Sequence, residues 1–170
     1  MTDWGVHLID IVHLAMKVDA PKTVSAVGGK FCLSDNRETP DTIIALYEYP
    51  GFLATYENRY RNANTLTGKG YGITLHGDKG TLFVDRQMYQ LWPERIGRPG
   101  AAPASPVEPI TVKSTNNQNS AHWANFLDCV KTRKKPAAEI EICNRSTATC
   151  LLANVSLRSR MRIDWDEQKW

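Results

Sequence analysis

Three polar residues near the start of the chain have the types and spacing of proton-transfer chemistry. Asp3, His7 and Asp10 stand at i, i+4 and i+7 in the run TDWGVHLID, so a helix would place all three on one face. An imidazole exchanges a proton near neutral pH. A carboxylate one turn away can orient the ring and stabilise its charged form, which suits a general base acting on a hydroxyl. The same spacing also fits an N-cap aspartate followed by a hydrogen-bonded core histidine. Asp3 and His7 could instead share a zinc-like ion with His122, although nothing else supplies the usual ligand density.

The element that carries these residues is itself unusual. Between Trp4 and Met16 there is no Lys, Glu, Gln or Arg. A surface helix normally shows such long polar side chains on its wet side. The helix is therefore expected to be buried on most sides, with its polar stripe lining a pocket. His13 reads as a packed or partly exposed histidine, and His76 as a structural residue at a hairpin. Other chemistries find little support. Gly68, Gly70 and Gly72 fall between two predicted strands, not in a strand–turn–helix unit, so they form no dinucleotide fingerprint. There is no P-loop and no G-x-S-x-G. Cys32, Cys129, Cys143 and Cys150 form no CxxC and are expected to be reduced, largely buried thiols.

Bulk composition narrows the class. With 170 residues, 42% of them hydrophobic and 23% charged, the chain can build one globular domain with a sizeable core. The net charge of +3 is too small to argue for nucleic acid, and no basic stripe alternates with aromatics. The densest basic run, residues 131–135, reads as a solvated helix end. No run reaches the roughly 18 apolar residues of a membrane span, and no secretory leader pattern is visible. A cytoplasmic protein without nucleic-acid or membrane partners is expected. Helix signals begin at Thr2, so the chain opens directly on its most chemical motif, which points to a piece of a longer protein.

The remaining elements read as follows. A helix over 3–16 is followed by strands over 23–31, 41–49 and 52–60, the last two joined as a hairpin at Pro50-Gly51. Further strands are expected over 70–75, 81–85 and 88–92. Residues 93–120 hold five of the nine prolines and read as a long loop with an edge strand at 110–112. A second helix spans 120–132, with Trp123, Phe126, Leu127 and Val130 on one side. Residues 139–142 read as extended. A third helix starts at Asn144 or Ser146 and reaches Ser159, packing Ala148, Leu151, Leu152, Val155 and Leu157 inward. A short strand over 162–165 closes the chain. The expected fold is α+β: an open, mainly antiparallel sheet of roughly five to seven strands with helices packed on one face.

Four stretches in this order resemble the C-terminal domain of the glucose–fructose oxidoreductase / inositol dehydrogenase family, Gfo/Idh/MocA, a fold also described as dihydrodipicolinate-reductase-like. Thr2 to Asp10 resembles the family's D-x-G-x-H-x-x-D motif. Gly72 to Leu82 resembles its GT-x-G-x-L hairpin. His122 to Pro136 resembles its H-x-x-NF helix. The helix from Asn144 with Ile163-Asp164-Trp165-Asp166 resembles its end. The resemblance implies that residues 1–170 are a single substrate-binding and oligomerisation domain. His7 would be the acid/base for a substrate hydroxyl, and Asp3 would hold the substrate or orient His7. Asp10 and His122 would be further substrate-binding groups, and Tyr56, Arg59, Arg61 and the 93–120 loop would set specificity. The resemblance also implies NAD or NADP, a sugar or polyol substrate, and homo-oligomers formed through the open sheet face. The Rossmann half of such enzymes and its EKP lysine are absent from this sequence, so no cofactor site and no resident metal are expected. The chain would be the catalytic half of an oxidoreductase or, alternatively, a non-enzymatic sugar-binding or oligomerisation module.

Overall fold

The computed structural model describes residues 1–62, 64, 68–94 and 107–166. Among them the chain runs α1 (Trp4–Met16), β1 (Thr23–Gly29), β2 (Thr42–Tyr49), β3 (Phe52–Arg59), β4 (Ile73–His76), β5 (Gly80–Val84), β6 (Met88–Pro93), β7 (Ile110–Lys113), α2 (Gln118–Thr132), α3 (Ile140–Ser159) and β8 (Ile163–Asp164). The architecture is α+β with antiparallel ladders throughout. The strands make two four-stranded sheets, ordered β3-β2-β1-β8 and β4-β5-β6-β7, where the sequence suggested one. No ladder joins β3 to β4 among the described residues. Residues 95–106 of the 93–120 loop lie outside the described residues, and the expected edge strand is β7.

The chain divides into two compact units, residues 1–64 with 137–170 and residues 65–136. In the first, period-two alternation makes the sheet two-faced. Ile43, Ala45, Tyr47 and Tyr49 of β2 point inward and are buried, as are Val24 and Ala26 of β1 and Tyr56 of β3. They meet Ile9 of α1 and Cys150, Leu152 and Ala153 of α3 in one apolar cluster. Gly51, at φ 90°, makes the tight β2–β3 turn that an L side chain would strain.

The start of α3 corrects the sequence reading. Residues 139–142 are not extended: Glu139 is the N-cap and Ile140 the first helical residue. The β-branched Ile140 and Ile142 mimic a strand locally, but the Cys143 N–H closes on the Glu139 carbonyl at 3.0 Å. The inward stripe also differs. Ser146, Thr149, Cys150, Leu152, Ala153 and Ser156 are buried, whereas Leu151 and Val155 are about half exposed. Small residues face the sheet because α3 lies close to β1: the Ala26 N–H reaches the Ser156 hydroxyl at 2.9 Å.

The second unit contains β4 to β7 and α2. Phe83 is its buried side chain among the described residues, packed so closely over Gly72 that a Cβ there would overlap the ring. α2 is capped by Asn117, whose side chain accepts the Ser120 N–H. Its apolar stripe lies on one side, as its periodicity required, but Trp123 is 63% exposed, and Phe126, Leu127 and Val130 are also exposed.

Candidate functional site

α1 sets the site. Its buried residues are Gly5, Ile9, Val12 and His13, spaced i, i+4, i+7 and i+8, which is one face only. The expectation of a helix buried on most sides is therefore corrected: Asp3 and His7 are exposed, and Asp10 is half-buried. Trp4, Ile11 and Leu14 are exposed on the same side, so the exposed face of the helix is apolar around its polar stripe. Asp3 is the N-cap but makes no side-chain cap bond. Asp3 and His7 make no hydrogen bond or ion pair among the described residues. The imidazole and carboxylate thus share a face and stay free for an incoming group.

Asp10, the third residue of the stripe, is engaged internally. It accepts a 2.8 Å hydrogen bond from Ser146, which ties α1 to α3. His13, at the far end of the helix, is buried and bonds the Tyr49 hydroxyl through Nε2 at 2.9 Å, and Tyr49 stacks on Phe52 with centroids 4.7 Å apart. Burial holds the His13 imidazole below its usual range, against the pull of Asp10 and Asp19 and aided by Arg145. His76 bonds Thr81 at 3.3 Å in the β4–β5 hairpin. His122 stands exposed on α2 in the second unit.

Across α1 from Asp3 and His7 lie Cys150 and Tyr56, the second of which the resemblance places among the specificity residues. A Cβ on Gly5 would stand 3.3 Å from Cys150 Sγ and 3.8 Å from the Tyr56 ring. The glycine of the D-x-G-x-H pattern is thus a packing requirement that brings α1 onto α3 and β3. Tyr56 is buried on the helix-covered face. Burial, then Cys150 and then the Asp3 charge hold its hydroxyl above the usual range, so its environment senses the Asp3 carboxylate. Burial raises the Cys150 thiol to about 11, which makes it a packing group and not a nucleophile. Only Cys150 of the four cysteines is buried; Cys32 and Cys143 are exposed, and Cys129 is half-buried. Arg59 pairs with Glu57 at 3.0 Å.

The fit to cofactors can be tested on this geometry. A dinucleotide needs a strand, a glycine turn and a helix N-terminus. Gly68, Gly70 and Gly72 lead instead into β4, so the described residues offer no such cradle. They also hold no group of three or more His, Cys, Asp or Glu side chains placed to bind a metal ion. No helix among them is long and apolar enough to cross a membrane.

An α+β domain with an antiparallel sheet under helices, presenting Asp3 and His7 from its first helix, defines the class. Residues 1–83 match the family model described as GFO/IDH/MocA C-terminal domain. The match spans the D-x-G-x-H stretch and the Gly72–Leu82 stretch, while the α2 and α3 stretches lie beyond it. No curated protein sequence matches the chain. Similar solved structures include an NAD binding oxidoreductase from Klebsiella pneumoniae, 12% identical, covering 96% of this chain and 49% of that one at a TM-score of 0.69. Another is an aldose-aldose oxidoreductase from Caulobacter crescentus complexed with glycerol, 17% identical, covering 95% and 46% at 0.66. A third is an oxidoreductase from Agrobacterium radiobacter in complex with NAD+, L-tartaric acid and magnesium, 14% identical, covering 95% and 48% at 0.65. These likenesses establish the fold across nearly the whole chain. The chain spans about half the length of the structures it matches.

Proposed function

We propose that this chain is the substrate-binding and proton-transferring half of an NAD(P)-dependent oxidoreductase acting on a sugar or polyol, within a single substrate-binding and oligomerisation domain. The observation that carries the reading is the pair Asp3 and His7, exposed and without partners on one face of α1, in a domain similar to this family's. His7 would take the proton of a substrate hydroxyl as the carbon is oxidised, and Asp3 would orient the ring or hold a neighbouring hydroxyl. Asp10 would support this through its bond to Ser146, and His122 would be a substrate-binding group on the family resemblance alone. The described residues hold no nucleotide cradle, so the hydride acceptor must be presented from elsewhere. Two similar proteins bound to hydroxylated ligands, glycerol and L-tartaric acid, support a small polyhydroxy substrate. The exposed apolar face of β1, β2 and β3, with Val27, Ile44, Leu46 and Leu53, supports a homo-oligomer formed through it.

Turnover tests the reading. When the chain is combined with a dinucleotide-binding domain, a sugar or cyclic polyol should be oxidised with NAD(P), and His7→Ala should lower kcat by about 10²–10⁴-fold, the usual scale of a general base. Unchanged turnover in that variant would remove His7 from the chemistry. The missing cradle favours a second reading, a non-enzymatic sugar-binding or oligomerisation module. Sugar binding by the chain alone, with no turnover in combination with any dinucleotide-binding domain, would select it.

A further inference from the structure

The loop from β1 to β2 is held from both sides. The buried Asp41 carboxylate accepts the N–H groups of Phe31, Cys32 and Leu33 at 2.8–3.2 Å and the Thr42 hydroxyl at 3.0 Å. Lys30 donates to the Arg37 carbonyl at 3.1 Å and pairs with Asp35 at 3.4 Å. Arg37 is thereby fixed. Its Nε meets Asp35 at 2.8 Å, and its guanidinium lies 4.7 Å from the centre of the Tyr60 ring. Its two terminal amino groups have no acceptor among the described residues. A guanidinium held through Nε and a ring face keeps its outer fork open, and that fork matches the oxygens of a phosphate or carboxylate. Arg61, beside Tyr60, is exposed without an acidic partner among the described residues.

Register places this fork relative to His7. His13 bonds Tyr49, which pairs with Phe52 at the start of β3. Gly5 sits against Tyr56, four residues further along β3. α1 therefore runs antiparallel to β3, and its Asp3 end points toward Tyr60. Tyr60 prolongs the ladder by giving its N–H to the Asp41 carbonyl at 2.8 Å, and strand alternation puts it on the helix-covered face with Tyr56. Four strand residues cover about 13 Å and two helical residues about 3 Å, so Tyr60 stands roughly 10 Å along the sheet from Asp3. The length of the arginine and histidine side chains narrows the span from the fork to His7 to that of one substituted sugar.

We propose that Arg37 is a specificity residue that binds a phosphate group carried by the sugar whose hydroxyl meets His7. The proposal rests on the proton-transfer reading of Asp3 and His7 and names its substrate class, a phosphorylated sugar. The locked loop presents the fork at little ordering cost, and the Tyr60 ring keeps the guanidinium planar to the incoming anion.

The test is isothermal titration of the whole chain with glucose, galactose and mannose, each free and as its 6-phosphate, and with glucuronate and inorganic phosphate. At least one hexose 6-phosphate should bind about tenfold or more tightly than its free sugar and than inorganic phosphate, and the preference should shrink as salt rises. Arg37→Gln should erase the preference while leaving the melting curve in place, because its pair with Asp35 is at the surface. Tyr60→Leu, which removes the ring under the guanidinium, should weaken the preference. Arg158→Gln should leave it intact, because the end of α3 leads to β8 beside Thr23, at the opposite end of the sheet. Equal affinity for free and phosphorylated sugars, inorganic phosphate bound as tightly as any sugar phosphate, glucuronate bound most tightly of all, or indifference to Arg37→Gln would each overturn the proposal. Turnover of the combined protein separates it from the reading beneath it. Oxidation of a free hexose as readily as of its 6-phosphate would overturn the phosphate subsite and leave His7 in its role. Arg37-dependent binding of a sugar phosphate without any oxidation would uphold the subsite and remove the proton transfer.

Discussion

α1 carries two histidines six positions apart, and the two ends of the helix treat them oppositely. His13 is buried, bonded to Tyr49 and surrounded by Asp10, Asp19 and Arg145. His7 is exposed and bonds nothing among the described residues. The same side chain is a structural pin at one end and an available proton carrier at the other. Residue type does not decide between these roles; the face of the helix and its neighbours do. A histidine already satisfied by the fold has no capacity left for a substrate, whereas one held on a rigid helix without partners can meet one.

The comparison breaks first at the His13 end. His13→Ala empties a buried site and strands the Tyr49 hydroxyl, so unfolding free energy should fall by about 3 kcal/mol, measured by urea denaturation. The wild-type pH profile has a definite sign. Because burial keeps the folded-state imidazole below its usual 6.5, the unfolded chain binds the proton more readily. The His13 contribution is fully present above pH 6.5 and is lost as pH falls below it. A stability that rises on acidification from pH 7 to 6 would contradict this placement.

Gly5→Val sharpens the comparison from the His7 end, where packing rather than hydrogen bonding is at stake. The added atoms must push Cys150 Sγ and the Tyr56 ring, so a loss of about 2 kcal/mol is expected. An unchanged melting curve would mean that α1 and α3 do not meet this closely. Tyr47→Phe should act in the opposite sense. Tyr47 is fully buried and its hydroxyl has no partner, and removing an unsatisfied polar group should raise stability by about 1 kcal/mol. Tyr49→Phe, two residues along the same strand, loses the His13 bond and should lower it.

Much of this was legible in the sequence because local rules and tertiary structure agree. The alternation in TIIALYEY is matched by burial, and the Pro50-Gly51 turn by the β2–β3 register. The failures have specific causes. Ile140 and Ile142 carry strand propensity, but helical hydrogen bonding from Glu139 overrides it. The apolar run of α1 suggested enclosure, yet composition cannot tell a buried flank from an exposed one, and Leu14 is 74% exposed. In α3 Leu152 and Leu157 pack inward as expected, but Leu151 and Val155 do not, because close approach selects serine, threonine and alanine, which the search for large apolar residues passes over. At the site, spacing placed Asp3 and His7 on one face. It could not show that Asp10 is held by Ser146, 136 positions away, or that Tyr56 lies under Gly5.

The smallest expected effect is the most discriminating. His7→Ala removes an exposed ring that bonds nothing among the described residues, so unfolding free energy should stay within about 0.5 kcal/mol of wild type. His13→Ala measures what a structural histidine contributes, and His7→Ala should look inert beside it. If His7→Ala were to destabilise the chain as His13→Ala does, His7 would be a packing residue and the proposed proton transfer would lose its carrier. If stability holds while turnover of the combined protein collapses, the two histidines are separated by experiment as they are by structure. The destabilisation and the catalytic loss would then fall on opposite ends of one helix.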